Sequence, residues 1–432
     1  MSSPKSAAVW LRAIVLLAAA AVAGVARAAV PARVVPRPYL LMPQTAAGQI
    51  PALLSQTGVF KDTPRLVPND GLIPYDLIVS FWSDGASKQR WIAVPKGKIG
   101  FAPTGEWTFP AGAVFVKTFE LPLDAAHPGV KRRLETRLLV RDTHGGVYGV
   151  VYKWRADNSD ADLLSSSQAE NIAIKAADGT THTQTWYYPS RQNCLECHNA
   201  RAGGVLGVKT RQLNHDFAYP AGVRNELQMW NDLGLFSPGF ADEEVGKFTR
   251  LAAATDTTRS LEDRARSYFD ARYDTPLEQQ NIVDGHVLID ERIDRSRVVA
   301  PNDIWRSIAY MRVNTVGEVR MPPLARETID ANAVALLRQW ITSLPGRAVV
   351  DPPEISPGGG NFSAPVEVSL KVAEPGAEIH YTVDGSAPTA SDPTYDRPLK
   401  VSGPTVVRAR AFKDGLTRSI ASQAVFIVGS SQ

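Results

Sequence analysis

Cysteine is nearly absent: 432 residues hold two. That excludes a disulfide-stapled scaffold, a four-thiolate metal site and any multi-cluster metal centre. An excess of either charge is also lacking. Lys+Arg total 47 against 44 Asp+Glu, a net charge of +3, so there is no electrostatic footprint for nucleic acid. Past the first 28 residues no apolar run is long enough to span a bilayer. No internal repeat, heptad or low-complexity tract occurs, which excludes solenoids and coiled coils. What remains is an ordinary globular balance, 44% hydrophobic and 21% charged. The length leaves room for two to four domains at about 100–200 residues each.

Residues 1–28 read as a secretory signal. Lys5 and Arg12 give a basic start, Ala13–Val25 is an apolar stretch without charge, and Ala26-Arg27-Ala28 has the small-x-small cleavage pattern. The apolar stretch is short of the ~20 residues a membrane anchor needs. Cleavage after Ala28 removes Lys5, Arg12 and Arg27 with no acid, taking the net charge from +3 to zero. The expected location is the periplasm or the cell exterior, an oxidising compartment, with no membrane span after cleavage.

The remaining chain changes texture three times, which predicts a multidomain α+β protein. Residues 29–188 form the β-rich part. Up to residue 75 they are Pro-rich and irregular, with one short helix expected near Gln49–Thr57. Strands are expected at Ile78–Trp82, Gln89–Val94, Val114–Leu121, Arg133–Val140 and Val147–Trp154. Several alternate apolar and polar residues, as in antiparallel strands buried on one face, which predicts a β-sandwich-like domain.

Residues 189–346 turn helical. Val223, Leu227, Trp230 and Leu233 share one helical face, with Gly234 as the stop. Ser260 reads as the cap of a helix through Arg264–Ala271, and Asp330 as the cap of a last helix ended by Pro345-Gly346. Residues 347–360 look like a linker. Residues 361–430 return to β, with strands expected at Val366–Val372, Glu378–Val383, Thr405–Phe412 and Gln423–Val428, a small sandwich of their own.

Both cysteines sit in Cys194-Leu195-Glu196-Cys197-His198. Two thiols at this spacing lie on one face of a helical turn and meet the two vinyl groups of a haem, while the next His reaches the iron. This is the c-type attachment pattern. Ser190, after Pro189, is placed to cap the turn. Three other readings compete. A thioredoxin-like redox pair lacks the surrounding βαβ pattern, and half of a zinc site lacks a second Cys pair or a close His pair. The third is a structural disulfide. The expected cofactor is one covalent haem c on Cys194 and Cys197, with His198 on the iron.

The second axial ligand is open. Met1 leaves with the signal. Met321, in Arg320-Met321-Pro322-Pro323, is the leading candidate, because the prolines keep the segment extended and out of any helix. Met229 reads as a core residue of its helix, while Met42, Met311, His182 and His215 are further candidates, as is an open position. Asp284, His286 and Asp290 are close in sequence but have no catalytic spacing. Lys131-Arg132-Arg133 reads as a solvated run at a strand start, and Asp242-Glu243-Glu244 as a helix surface. No catalytic constellation is recognisable, so the chain is expected not to be an enzyme.

Several segments in order resemble a family of exported bacterial dihaem c-type cytochromes. They are Val114–Phe119, Arg133–Val140, Tyr188–His198, Gln212-Leu213-Asn214 and Arg320-Met321-Pro322-Pro323-Leu324, within residues 70–345. The resemblance implies that residues 189–346 are a small helical cytochrome c-like haem region, and it implies haem binding and electron transfer, carried onto Cys194, Cys197 and His198. The family pattern has a second Cys-x-x-Cys-His after the helix that here is Arg264–Ala271. In this chain Tyr268-Phe269-Asp270 runs on into Ala271-Arg272-Tyr273-Asp274-Thr275-Pro276 with no further Cys. In the family the Met-Pro-Pro motif looks like a ligand of that second haem, so Met321 is either a relic or a ligand of the remaining one.

Residues 353–428 are similar to the C-terminal β-sandwich of chitobiases and β-hexosaminidases. The similarity rests on Ile379–Thr389, Tyr395 and Val407–Phe412. It implies an accessory module with possible glycan contact, without glycosidase activity. The expectation is thus a one-haem cytochrome exchanging single electrons with a dehydrogenase or oxidase in the cell envelope. The competing expectation is an envelope glycan- or protein-binding module whose haem site is vestigial.

Overall fold

The structure is a computed structural model that describes residues 40–200, 203–273, 280–323 and 326–429. The expected signal segment, residues 1–28, and Leu324 lie outside the described residues. Strand outweighs helix. Among the described residues no helix is long and apolar enough to cross a membrane.

The first body is built on one six-stranded antiparallel meander. Its strands are β1 (Ile73–Pro74), β2 (Ser87–Ala93), β3 (Val114–Pro122), β4 (Lys131–Arg141), β5 (Val147–Trp154) and β6 (Ala161–Leu163), paired in chain order. The long strands are rich in Val, Phe, Tyr, Leu and Thr, residues that suit a pleated surface. A hairpin of β7 (Gln168–Lys175) and β8 (Thr181–Tyr188) follows.

The expected burial on one face is corrected: both faces are covered. Leu54, Val59, Phe60 and Leu66 from the lead-in pack on Val114, Val116, Leu138 and Tyr152 of one face. The other face carries two separate clusters. One joins Phe115 and Leu139 to Trp107, Leu227 and Trp230. The second joins Phe119 and Val151 to Ile172, Ile174 and Trp186 of the hairpin. The domain is therefore one sheet under loops, a hairpin and helices, and not two sheets of similar size. The gap between these two clusters is where the site lies.

The strand expected at Ile78–Trp82 is a loop. Its backbone is satisfied by a side chain instead of a neighbouring strand: Val79 N–H donates to Gln212 Oε1 (2.9 Å) and Gln212 Nε2 donates to Val79 O (3.0 Å). The run Lys131-Arg132-Arg133 is not simply solvated. Arg132 pairs with Glu170 and Arg133 with Glu120, and the Arg133 guanidinium stacks 4.5 Å over the Trp154 ring.

Among the described residues six α-helices follow: α1 (Arg191–Cys197), α2 (Thr210–Leu213), α3 (Glu226–Asp232), α4 (Leu261–Tyr273), α5 (Ile308–Val313) and α6 (Ala331–Ser343). Val223 is not part of α3. It lies in a strand, Gly222–Asn225, paired with Asp216–Tyr219, and Asn225 caps the helix by accepting from Leu227 N–H (3.0 Å). Ser260 and Asp330 do act as caps, accepting from Asp263 N–H (3.0 Å) and Ala333 N–H (3.1 Å). Helices α4, α5 and α6 share a core of Ala265, Phe269, Val313, Leu337, Trp340 and Ile341.

The C-terminal sandwich has two sheets. One is ordered β9 (Glu354–Ser356), β11 (Val366–Lys371), β13 (Leu399–Val401). The other is ordered β10 (Gly360–Phe362), β15 (Ser422–Val428), β14 (Thr405–Phe412), β12 (Glu378–Thr382). Alternate residues such as Val368, Leu370, Val407, Ala409 and Phe426 fill the space between them. Because β9 and β10 pair within these sheets, the stretch expected as a linker is in part sandwich.

Candidate haem site

Helix α1 is held at its start by a reciprocal cap. Asn193 N–H donates to Ser190 Oγ (3.2 Å), and Asn193 Oδ1 accepts from Ser190 N–H (3.0 Å). This pair fixes where the first turn begins. The helix then lies directly on β5. A Cβ added at Gly149 would stand 2.5 Å from Cys194 Sγ, so only glycine leaves room for this thiol against the strand. Gly149 was not visible as a site residue in the sequence.

Cys194, Cys197, His198 and Met321 all line one cavity of about 500 Å³. That is the size of a small-molecule or cofactor pocket. The sheet forms its floor, α1 one wall, loop 75–83 another, and Met321-Pro322-Pro323 a further side. The other ligand candidates do not line it. Met42 and Met229 pack on the two faces of the large sheet. His182 sits exposed on the β7–β8 hairpin, and His215 bonds to Glu226.

Both thiols are free, and burial pushes each of them up, so they stand protonated at neutral pH. This is not the thiolate-stabilising environment of a redox-active pair. Among the described residues no three His, Cys, Asp or Glu side chains group to hold a metal ion.

The His198 imidazole is pushed down to about 4 by burial first and by Lys117 next, so it is neutral. Its Nδ1 lies 3.2 Å from Gly204 O. Leu206 N–H also approaches Nδ1, at 3.4 Å. One nitrogen cannot donate to Gly204 and accept from Leu206 together, and the shorter contact assigns the proton to Nδ1. Nε2 then carries a lone pair. A backbone carbonyl holding the far N–H is the usual support of a metal-ligating His.

The floor carries a feature the sequence reading missed. Arg90, Lys117 and Arg137 are direct cross-strand partners on β2, β3 and β4, and all three line the cavity. Like charges directly opposite one another destabilise a sheet. Lys117 is pushed down to about 7, by burial first and then by Arg90 and Arg137. Asp76 pairs with Arg90, and Glu135 lies 2.6 Å from Arg137, which leaves Lys117 without a carboxylate of its own within the ladder. The cavity floor is therefore a row of three basic side chains, two of them paired with carboxylates. The visible signal was Lys117 itself, a charge at an inward position of Val114–Phe119.

The Met321 side is anchored. Arg326 is fully buried and donates to the carbonyls of Met321 (2.9 Å) and Val313 (2.9 Å), while Met321 N–H donates to Arg312 O (2.9 Å). Asp84 accepts from Thr328 N–H (2.7 Å), Thr328 Oγ1 (2.9 Å) and Glu327 N–H (2.9 Å). Trp82 Nε1 donates to Thr328 O (3.2 Å). These bonds tie the segment after Met321 to the loop that forms the cavity wall. The Gln212-Leu213-Asn214 block is structural: Gln212 fixes Val79, and Asn214 Nδ2 donates to Phe248 O (3.0 Å).

Among families, residues 357–423 match the chitobiase/beta-hexosaminidase C-terminal domain. The match lies within the C-terminal sandwich. No curated protein and no solved structure matches the chain.

Proposed function

We propose that this chain is an exported c-type cytochrome that carries one covalent haem in the cavity beneath α1 and passes single electrons. The observation that carries the reading is that Cys194, Cys197, His198 and Met321, the last more than a hundred residues away in sequence, line the same cavity. The proposal also takes up the sequence resemblance of residues 70–345 to dihaem c-type cytochromes. A haem supplies the one-electron iron couple.

The residues divide the work. Cys194 and Cys197 would hold the haem through thioethers, each by addition of its S–H across a vinyl group. His198 would hold the iron through Nε2, with Gly204 O fixing its other nitrogen. Met321 lines the same cavity and would supply a thioether to this site. Arg90, Lys117 and Arg137 on the cavity floor would balance the carboxylates of the cofactor. Phe115, Phe119, Leu77 and Leu139 exclude water, which helps set the potential. The redox partner in this reading is a dehydrogenase or oxidase in the periplasm or outside the cell. The C-terminal sandwich is an accessory module, with glycan contact as its possible role.

The test is an optical redox titration of the chain produced with c-type maturation machinery. One single-electron transition is expected. Thioether ligation raises haem potentials, so Met321→Ala should lower the midpoint and abolish the weak sulfur-to-iron band. An unchanged midpoint and spectrum remove Met321 from the iron, and a haem that does not titrate ends the electron-transfer reading.

A further inference from the structure

A second cavity, about 440 Å³, lies between residues 286–296 and the C-terminal sandwich. It is lined by Arg292, Arg295, Arg408 and Arg410 against two carboxylates, Asp290 and Asp294. Asp294 is already shared: Arg410 and Arg418 each approach it at 3.2 Å and Arg306 at 3.7 Å. Positive charge therefore exceeds negative charge around the space.

Two further observations point to a ligand. Arg410 is 4% exposed, and its Nε has no hydrogen-bond partner; the buried Nε of Arg408 has none either. Their other bonds go to loop carbonyls, Arg410 Nη1 to Pro388 O (3.2 Å) and Arg408 Nη1 to Gly385 O (3.3 Å). Unpartnered arginine Nε atoms also occur elsewhere among the described residues; these two stand out because both residues line the same cavity. The facing segment is also strained. Asp284, Glu291, Arg292 and Arg295 all hold left-handed backbone, with φ between 50° and 61°. Side chains other than Gly rarely adopt it, and such strain concentrates at ligand sites. Here it lies on the segment that brings Arg292 and Arg295 to the cavity. Burial and the nearby Arg418, Arg306 and Arg408 lower Arg410, with Asp294 opposing.

We propose that this interdomain cleft binds a small oxyanion-bearing molecule, recognised by Arg408 and Arg410 on the outer face of β14 and by Arg292 and Arg295 across from them. Planar guanidinium groups suit carboxylate and phosphate oxygens through paired bonds. The apolar flanks Val287, Ile293 and Ile420 admit a short carbon frame beside the charged group. The site is separate from the cavity beneath α1 and does not depend on the haem reading.

The test is calorimetric titration of the full chain with inorganic phosphate and, separately, citrate, at constant ionic strength set with chloride. Saturable binding of one of them is expected, and which one binds distinguishes a phosphate from a carboxylate ligand. Arg408→Gln should weaken it by about tenfold or more, the worth of one charge-assisted contact. The double variant Arg292→Asn/Arg295→Asn should do the same from the opposite wall, with exposed positions changed to a residue that tolerates left-handed backbone. Arg410 is left in place because it also joins the two domains. No binding of either probe at millimolar concentration, or binding unchanged in both variants with the fold intact by circular dichroism, overturns the proposal.

Discussion

Gly149 decides whether a thiol can lie against the sheet. Its missing side chain is what lets Cys194 Sγ approach β5. Gly149→Ala should push α1 off the strand and cut covalent haem yield several-fold, measured by haem absorbance per chain, with secondary structure by circular dichroism retained. Equal yield would show that the close approach is not needed. At this scale the sequence was informative where the chemistry is contiguous. Cys194, Cys197 and His198 declare their spacing within five letters. Arg90, Lys117 and Arg137 do not, because only the pairing of three strands brings them side by side.

At the scale of elements, period-two patterning located β3, β4 and β5 to within a residue or two, and capping residues located α4 and α6. The strand miss at Ile78–Trp82 has a tertiary cause. Loop 77–82 is apolar enough for a strand, but the Gln212 side chain occupies the place of a neighbouring strand. Asp84 does similar work between elements, fastening Glu327 and Thr328 to the cavity wall. Burial pushes the Asp84 carboxyl up and the backbone donors oppose it. Hydrogen bonds to charged groups contribute about 1.5–3 kcal/mol each, and relaxation recovers part of that. Asp84→Ala should therefore cost about 2–3 kcal/mol in chemical denaturation. It should also loosen Met321, seen as loss of the sulfur-to-iron band. A stable variant with an unaltered band would show that the fastening is incidental.

Across the whole molecule, Asp84 joins the sheet domain to Glu327 and Asp294 joins the helical region to Arg410 of the sandwich, and a pH-sensitive pair links the start of α3 to the cavity-wall loop. His215 Nε2 lies 3.4 Å from Glu226, which in turn accepts from Asp76 N–H (2.7 Å) at the start of the cavity-wall loop. Burial lowers His215, but Glu226 outweighs it and the net direction is up; burial pushes Glu226 up as well. Both groups hold protons more tightly when folded. Their stabilisation is thus complete below the ordinary values and is lost as pH rises, for His215 above about 6.5. The difference in denaturation midpoint between the chain and His215→Gln should therefore shrink as pH rises above about 6.5. A difference that grows with pH would contradict the assignment.

The C-terminal sandwich was legible as a change of texture. The two-sided covering of the large sheet was not, because the residues that cover it are scattered through the Pro-rich lead-in and the region around α3. The shared cavity was equally hidden, since nothing local to Arg320-Met321-Pro322-Pro323 announces that it lies beside α1.

The most direct measurement is the mass of the intact denatured chain after production with c-type maturation machinery, alongside Cys194→Ala/Cys197→Ala. The account predicts an added mass of one haem that survives denaturation and is absent from the double variant. An unmodified chain, or a haem retained without the two cysteines, would contradict it.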